Sequence, residues 1–359
     1  MKITSLSIKG LRNLESVTIN PVPGINQLIG ENGAGKTTIL EAINLLSSGR
    51  SFRTRKIPRL LAQGVDELSV RMEFTDPDTR VEHQAGILKT REGDTSLKLD
   101  YQSLNSIVEV TRLLPVKIIN PDSHKLVQEG PDQRREFIDW GVFHVEQSFF
   151  QTWKQFRRAL QQRNQILRTH TGGNELTAWD RELAVSGTMV NEMRARYVDK
   201  LQPIVETFVS EFGMAQTIGL KYRAGWNKDL TLIQALTNEQ DQDIPPAFTT
   251  VGPHRAELAL TANGTAAKDI LSRGEQKLLV YALHFAQLKL YSESTNRQPV
   301  VLLDDLAAEL DLAFTKKVIA SLLHMGVQAF ISGNEPLRSD SLEKHGIHQI
   351  IQGNLAEVV

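Results

Sequence analysis

The stretch Gly30-Glu31-Asn32-Gly33-Ala34-Gly35-Lys36-Thr37-Thr38 has the residue types and spacing that a triphosphate needs. Its pattern is G-x-x-x-x-G-K-[ST], in which glycines let backbone N–H groups turn inward around phosphate oxygens. Lys36 then reaches the β- and γ-phosphates, and the Thr37 hydroxyl takes a place on Mg²⁺. A second constellation lies far along the chain. Val300-Val301-Leu302-Leu303-Asp304-Asp305 is an apolar run that ends in two carboxylates. At the carboxyl edge of a buried parallel strand, Asp304 can hold Mg²⁺ directly or through water. Asp305 beside it can polarise an attacking water as a general base. An Asp-Asp pair alone is more often a solvated turn; its partnership with the phosphate loop reverses that in favour of chemistry. Together they imply ATP and Mg²⁺ as cofactors.

The third constellation is Leu271-Ser272-Arg273-Gly274-Glu275-Gln276-Lys277, which opens a helix with apolar residues at 278, 279, 282, 283 and 286. Ser272 and Glu275 have capping-box spacing, so a well-capped helix accounts for them. The same helix start, with a serine and a glycine exposed, also suits a phosphate. Both alternatives stand on sequence alone.

These residues need elements to place them. Gly24 to Ile29 reads as a strand entering the phosphate loop, and Ile39, Ala42, Ile43 and Leu46 give the helix that leaves it. Residues 2–20 alternate as two strands, and residues 68–102 alternate again as antiparallel β, separated by Asp, Gly and Thr turns. Val116 to Ile119 is a strand. From Ser123 to about Met214 the pattern is helical, with a break at Thr171-Gly172-Gly173-Asn174 between two long helices. Strands at 217–222 and 257–260 follow, with polar, disordered-looking sequence between them up to Pro245-Pro246. Then come the Ser272 helix, the 300–303 strand, a helix over 312–324, a strand over 328–332 and a C-terminal β segment. The expected fold is α/β, a parallel core sheet plus an antiparallel β subdomain. Residues 1–115 and 215–359 form that head, and 116–214 form an inserted helical lobe.

At 359 residues and a net charge of −1, the chain has no global field for a polyanion, so any such site is a local patch. There is no cysteine, which removes disulfides and thiolate-held metals from consideration. No apolar run approaches the ~20 residues of a membrane span. Met1-Lys2-Ile3-Thr4 runs into an alternating strand, unlike a signal peptide. A cytoplasmic protein without a membrane partner is expected.

The ordered set of a phosphate loop, Ser-Arg-Gly-Glu-Gln-Lys, an apolar strand with Asp-Asp, and Glu309-Leu310-Asp311 resembles the ABC-type ATPase head. Over its whole length the chain resembles the RecF recombination mediator family. The supporting stretches are Gly49 to Thr54, Gly130 to Arg135, Gln162-Arg163-Asn164 and Gly252-Pro253-His254-Arg255. The resemblance implies that Ser272, Arg273, Gly274 and Glu275 meet the γ-phosphate held by a second subunit in an ATP-sandwiched homodimer. It also implies that Glu309 and Asp311 lie on the loop across that interface. It further implies action in DNA replication, recombination and repair at single-strand gaps and duplex junctions, nucleoid association, and a part in the SOS response to DNA damage. RecO and RecR family proteins are the implied partners, in loading the RecA recombinase. Two departures are visible. The family's acidic pair after Gly-Pro-His-Arg is here Ala256-Glu257, and Ser332-Gly333-Asn334 stands where transporter-type heads carry a switch histidine. A hydroxyl or amide cannot shuttle a proton as histidine does, so slow, DNA-stimulated hydrolysis used as a timer is expected. The coupling glutamine of such heads has no obvious counterpart; Asn120 lies nearest.

For DNA, two basic stretches present themselves. One is Arg50, Arg53, Arg55, Lys56 and Arg59; the other is Lys154, Arg157, Arg158, Arg163 and Arg168, with no acidic residue between Gln147 and His170. Such stripes track phosphates, and they are equally what a solvated basic face looks like. Among competing functions, a transporter ATPase requires a membrane partner, and a chromosome-structuring ATPase head carries a far longer coiled coil. An ATPase-nuclease requires a separate acidic metal cluster.

Overall fold

The computed structural model describes residues 1–76, 79–169, 173–337 and 345–356. It divides into two compact units, Met1–Ser123 with Asn296–Val359, and His124–Thr295. The expected boundaries at 115/116 and 214/215 fall elsewhere. Val116–Ile119 pairs in parallel with Val300–Leu303, so its hydrogen bonds tie it to the first unit. Residues 215–295, including the Ser272 helix, group with the long helices.

The first unit contains two six-stranded sheets. One has the order Asn354–Ala356, Gly346–Ile351, Ile25–Ile29, Gln328–Gly333, Val300–Leu303, Val116–Ile119. Its neighbours are parallel except for the C-terminal hairpin. Val300–Leu303 is buried at every position, which explains its unbroken apolar run. Because Gly333 pairs with Ile29 and Leu303 with Ile331, residues 30, 304 and 334 leave the sheet at one carboxyl edge, with Ser332 next to last in its strand. The strand Gln328–Gly333 lies between the phosphate-loop strand and the Asp304 strand.

The other sheet is antiparallel, in the order Leu14–Ile19, Lys2–Leu11, Glu67–Thr75, Glu82–Thr90, Thr95–Leu99, Gln102–Leu104. Along Glu67–Thr75 the buried residues are Leu68, Val70, Met72 and Phe74, the period-2 signature of one core-facing side. They share a core with Ile39, Ile43 and Leu46 of the helix Lys36–Ser48. That helix is buried on nearly every side, and each fully covered aliphatic residue contributes about 1.5–3 kcal/mol.

The second unit is built on helices Pro131–Val145, Phe149–Thr169, Asn174–Glu211 and Arg273–Thr295, with a three-stranded antiparallel sheet of Ile218–Arg223, Glu257–Ala262 and Thr265–Ala266. The expected break at 171–174 falls largely outside the described residues; Asn174 begins a helix. The stretch up to Pro245-Pro246 differs from expectation. It contains helices Leu232–Asn238 and Gln240–Asp243, the first held by a complete Thr231–Gln234 capping box. Leu232, Leu236 and Asp243 are buried, so three long-range anchors order what its polar composition suggests is loose. Among the described residues, no helix is long and apolar enough to cross a membrane.

Candidate nucleotide-binding site

The loop from Gly30 to Gly35 joins the strand Ile25–Ile29 to the helix beginning at Lys36. Gly35 has φ 116°, and a Cβ there would stand 2.6 Å from Leu14 Cδ2; at Gly30 it would stand 2.3 Å from the Ile350 carbonyl. Only glycine fits either place. Asn13 braces the loop, donating to Gly33 O at 2.9 Å and accepting from Thr38 Oγ1 at 3.1 Å. The Lys36 ammonium donates to Gly30 O at 2.6 Å, Glu31 O at 3.0 Å and Asn334 Oδ1 at 2.9 Å.

The acidic pair meets this loop. Thr37 Oγ1 donates to Asp304 Oδ1 at 2.9 Å, and Ser332 Oγ donates to the same oxygen at 2.7 Å. Burial pushes the Asp304 carboxyl above the usual aspartate range, and the Ser332 and Thr37 hydroxyls offset part of that. A nearby cation would relieve the remainder, and hydroxyl plus carboxylate is the hard oxygen donor set that Mg²⁺ prefers. Asp305 is left-handed, φ 54° and ψ 40°, and its N–H donates to Ser332 Oγ at 2.8 Å. The pocket here is lined by residues 32–38 together with Arg12, Asn13, Arg53 and Asp305. Backbone amides at a helix N-terminus, an ammonium, Asp305 in the lining and Asp304 bonded to Thr37 fit a nucleotide triphosphate with its metal.

Sequence reasoning misses the group behind this pocket. Glu41 is wholly buried, and Arg12 holds it through two hydrogen bonds, one of 2.8 Å from Nη2. Ser51 also donates to Glu41, and Arg53 Nη1 lies 3.7 Å away. Arg53, expected among the DNA-facing residues, lines the pocket while staying exposed, as Arg50, Arg55, Lys56 and Arg59 are. The signal that could have found this group is a carboxylate among the apolar residues 39–43 of the helix.

In the second unit, Ser272 and Glu275 form the expected capping box. The Ser272 N–H and hydroxyl donate to Glu275 Oε2 at 2.8 and 2.7 Å, and the Glu275 N–H returns to Ser272 Oγ at 3.3 Å. Those bonds hold the Glu275 carboxyl below its ordinary range. Ser272, Arg273 and Gly274 remain exposed, with open space where a Gly274 Cβ would go. Glu257, the acid left beside Ala256, is taken up by a two-pronged contact with Arg134 at 2.6 and 2.8 Å. Asp311 caps the helix Leu312–Met325, accepting from Phe314 N–H at 2.7 Å; Glu309 precedes it in a short helical turn.

Lys154, Arg157, Arg158 and Arg168 are exposed on the helix Phe149–Thr169, and Arg157 lies over the Trp153 ring at 5.3 Å. Arg163 does not belong with them. It is wholly buried, bonded to Asp180 at 2.6 Å, Asp243 at 2.5 Å and Thr249 at 2.9 Å. Nine residues past Lys154 is about 180° around a helix at ~100° per residue, which puts Arg163 on the opposite side.

A family model described as the RecF/RecN/SMC N-terminal domain matches residues 2–345. The DNA replication and repair protein RecF of Vibrio campbellii is 38% identical over 347 residues, covering 96% of this chain and 97% of that protein. The chain belongs to the RecF family. Its RecF fold also aligns with a solved structure of the recombination mediator protein RecF-ATP in the RecFOR pathway, at TM-score 0.90 and 26% identity, over 100% of this chain and 98% of that one. An Smc head bound to the C-terminal winged-helix domain of ScpA aligns at TM-score 0.61 and 17% identity, over 99% and 96%. That shows a shared fold. The RecF-family head is thus an ABC-type α/β ATPase fold with a helical region.

Proposed function

We propose that this protein is an ATP-switched DNA-binding recombination mediator acting in DNA repair and replication. The reading rests on one contact, the 2.9 Å hydrogen bond by which Thr37 of the phosphate loop meets Asp304 of a distant strand. That contact puts a metal-ready oxygen pair beside the helix N-terminus in a chain similar end to end to an ATP-bound recombination mediator. Lys36 and the amides of residues 33–38 hold the β- and γ-phosphates. Thr37 and Asp304 hold Mg²⁺, which supplies positive charge to those phosphates. Asp305 takes the proton of the attacking water. Ser272 and Gly274 bind the γ-phosphate held by a second copy of the chain, with Glu309 and Asp311 along that interface, so two heads close over two ATPs. Closure presents Arg50, Arg53, Arg55, Lys56, Lys154, Arg157 and Arg158 to duplex or gapped DNA. Slow, DNA-stimulated hydrolysis reopens the dimer. Work in the cytoplasm at the nucleoid, with RecO and RecR family proteins in loading RecA, completes the proposal.

Sedimentation and DNA affinity, each measured with ATP, ADP and no nucleotide, test it. A dimer and tighter DNA binding are expected with ATP alone. Identical size and affinity in all three states would overturn it.

A further inference from the structure

The strand Gln328–Gly333 runs between the strands that deliver Lys36 and Asp304, so its last residues emerge between the two halves of the site. Ser332 sits there, 1% exposed. A serine hydroxyl has one hydrogen and two acceptor lone pairs. The Asp305 N–H, at 2.8 Å, can only donate, so Ser332 Oγ must accept from it. The Asp304 carboxylate can only accept, so the single Ser332 hydrogen must point to its Oδ1, at 2.7 Å. Both neighbours thereby fix the rotor.

The fixed hydroxyl acts on both aspartates, on the Asp304 carboxylate and on the Asp305 backbone. Thr37 and Ser332 both donate to Asp304 Oδ1, so their two hydrogens are spent on one oxygen and Oδ2 receives neither. With its hydrogen on Asp304, Thr37 also turns only lone pairs outward, the orientation a cation needs. At Asp305 the effect is on the backbone. A left-handed conformation at a non-glycine residue is strained and persists only where its surroundings hold it. The Ser332 hydroxyl receives the N–H of that residue and so helps hold the turn that aims the Asp305 side chain into the pocket.

We propose that Ser332 is the positioning residue of this site: one buried hydroxyl orients the Asp304 carboxylate toward its metal and fixes Asp305 as general base. It acts through the Asp304 carboxylate and the Asp305 backbone. The inference rests on the ATPase reading above. Ser332→Ala removes a donor from buried Asp304 and an acceptor from the Asp305 N–H. Outer-sphere partners of this kind are worth about 10–100-fold in metal affinity or turnover. ATP hydrolysis kcat is expected to fall by that factor while ATP affinity without Mg²⁺, read with a fluorescent ATP analogue, stays within about twofold of wild type. The gain in affinity on adding Mg²⁺ should shrink. Ser332→Thr, which keeps the hydroxyl, should restore both; Ser332→Cys, a weak donor of similar size, should restore neither. Thermal melting of each variant separates a folding defect from a positioning one. If Cys and Thr behave alike, or if Ala keeps wild-type kcat and Mg²⁺ response, the proposal is overturned. Lys36→Ala is assayed alongside. Lost ATP binding in that variant together with a silent Ser332→Ala refutes the positioning role alone, whereas retained binding refutes the ATPase reading itself.

Discussion

Thr37 and Asp304 stand 267 residues apart in the chain and 2.9 Å apart at Oγ1 and Oδ1. The sheet order produces this meeting. With the strand Gln328–Gly333 between their own strands, the phosphate loop and the acidic turn leave the same edge two strands apart, within reach of a side chain from each. Every expectation about nucleotide chemistry passes through that hydrogen bond.

Lys36→Ala should abolish nucleotide binding, because Lys36 is the ammonium that closes the phosphate loop. Lys36→Arg should retain much of the binding and lose turnover, since a planar fork cannot replace a point charge. Equilibrium binding of a fluorescent ATP analogue, set beside phosphate release, reads both; wild-type affinity in the alanine variant would remove the site assignment.

Asp305→Asn should bind ATP and Mg²⁺ normally and hydrolyse about 10²–10⁴-fold more slowly, the usual cost of removing a general base. DNA-bound lifetime with ATP should lengthen in step. Normal single-turnover hydrolysis would assign the water to another residue.

Arg157→Ala with Arg158→Ala should weaken binding to all DNA sequences alike and reduce the salt slope by nearly one unit for each phosphate no longer neutralised. Arg163→Ala on the same helix should behave differently. It leaves the Asp180 and Asp243 carboxylates buried without their cation, a loss of about 3–5 kcal/mol in folding stability. Urea unfolding of both variants checks the contrast; a marginal effect at Arg163 would contradict its place in the core.

His254 sets a pH dependence. Burial pushes its pKa down to about 4, while the Thr249 carbonyl, accepting from Nε2 at 2.9 Å, pulls the other way. In the unfolded chain histidine titrates near ~6.5. Above that pH it is neutral in both states and costs nothing. Between about 6.5 and 4 the unfolded chain takes a proton that the folded one refuses, so stability falls by up to about 3 kcal/mol. In His254→Gln that share of the acid sensitivity should vanish, seen as a flatter urea midpoint over this window. An unchanged pH profile would mean that His254 titrates normally.

Ser272→Arg adds bulk and charge at an exposed helix start without touching the phosphate loop. The variant should bind ATP as a monomer and fail to form the ATP-dependent dimer in sedimentation. A dimer of wild-type stability would argue against a sandwiched nucleotide.

Much of the head is legible in the sequence because its signals are local. The glycine loop needs particular backbone angles, the capping box spans four residues, and a fully buried strand reads as an unbroken apolar run. Composition misleads where it assigns a charge to the surface. Arg163 lies among exposed arginines in the sequence, although its helical angle opposes Lys154, and its partner Asp243 is 80 residues away in a stretch that looks disordered. Arg53 stays exposed, yet its guanidinium lies 3.7 Å from buried Glu41 and lines the nucleotide pocket, a placement its basic neighbours do not reveal. A polar residue's burial depends on partners that no local window contains.

By itself, the sequence determined the chemistry on offer: a phosphate loop, an acidic pair after a buried strand, a capped helix start and two basic stretches. Those are properties of neighbouring residues and their periodicity. Tertiary structure alone decided which of them meet. Sheet order placed Ser332 beside both aspartates, so that one hydroxyl bonds the Asp304 carboxylate and the Asp305 backbone N–H. Helix packing drew Arg163 into the core, and the division into units grouped the Ser272 helix with the second and the phosphate loop with the first. Hydrogen bonds and ion pairs act over a few ångströms of space, and only the fold sets which distant residues come within that range.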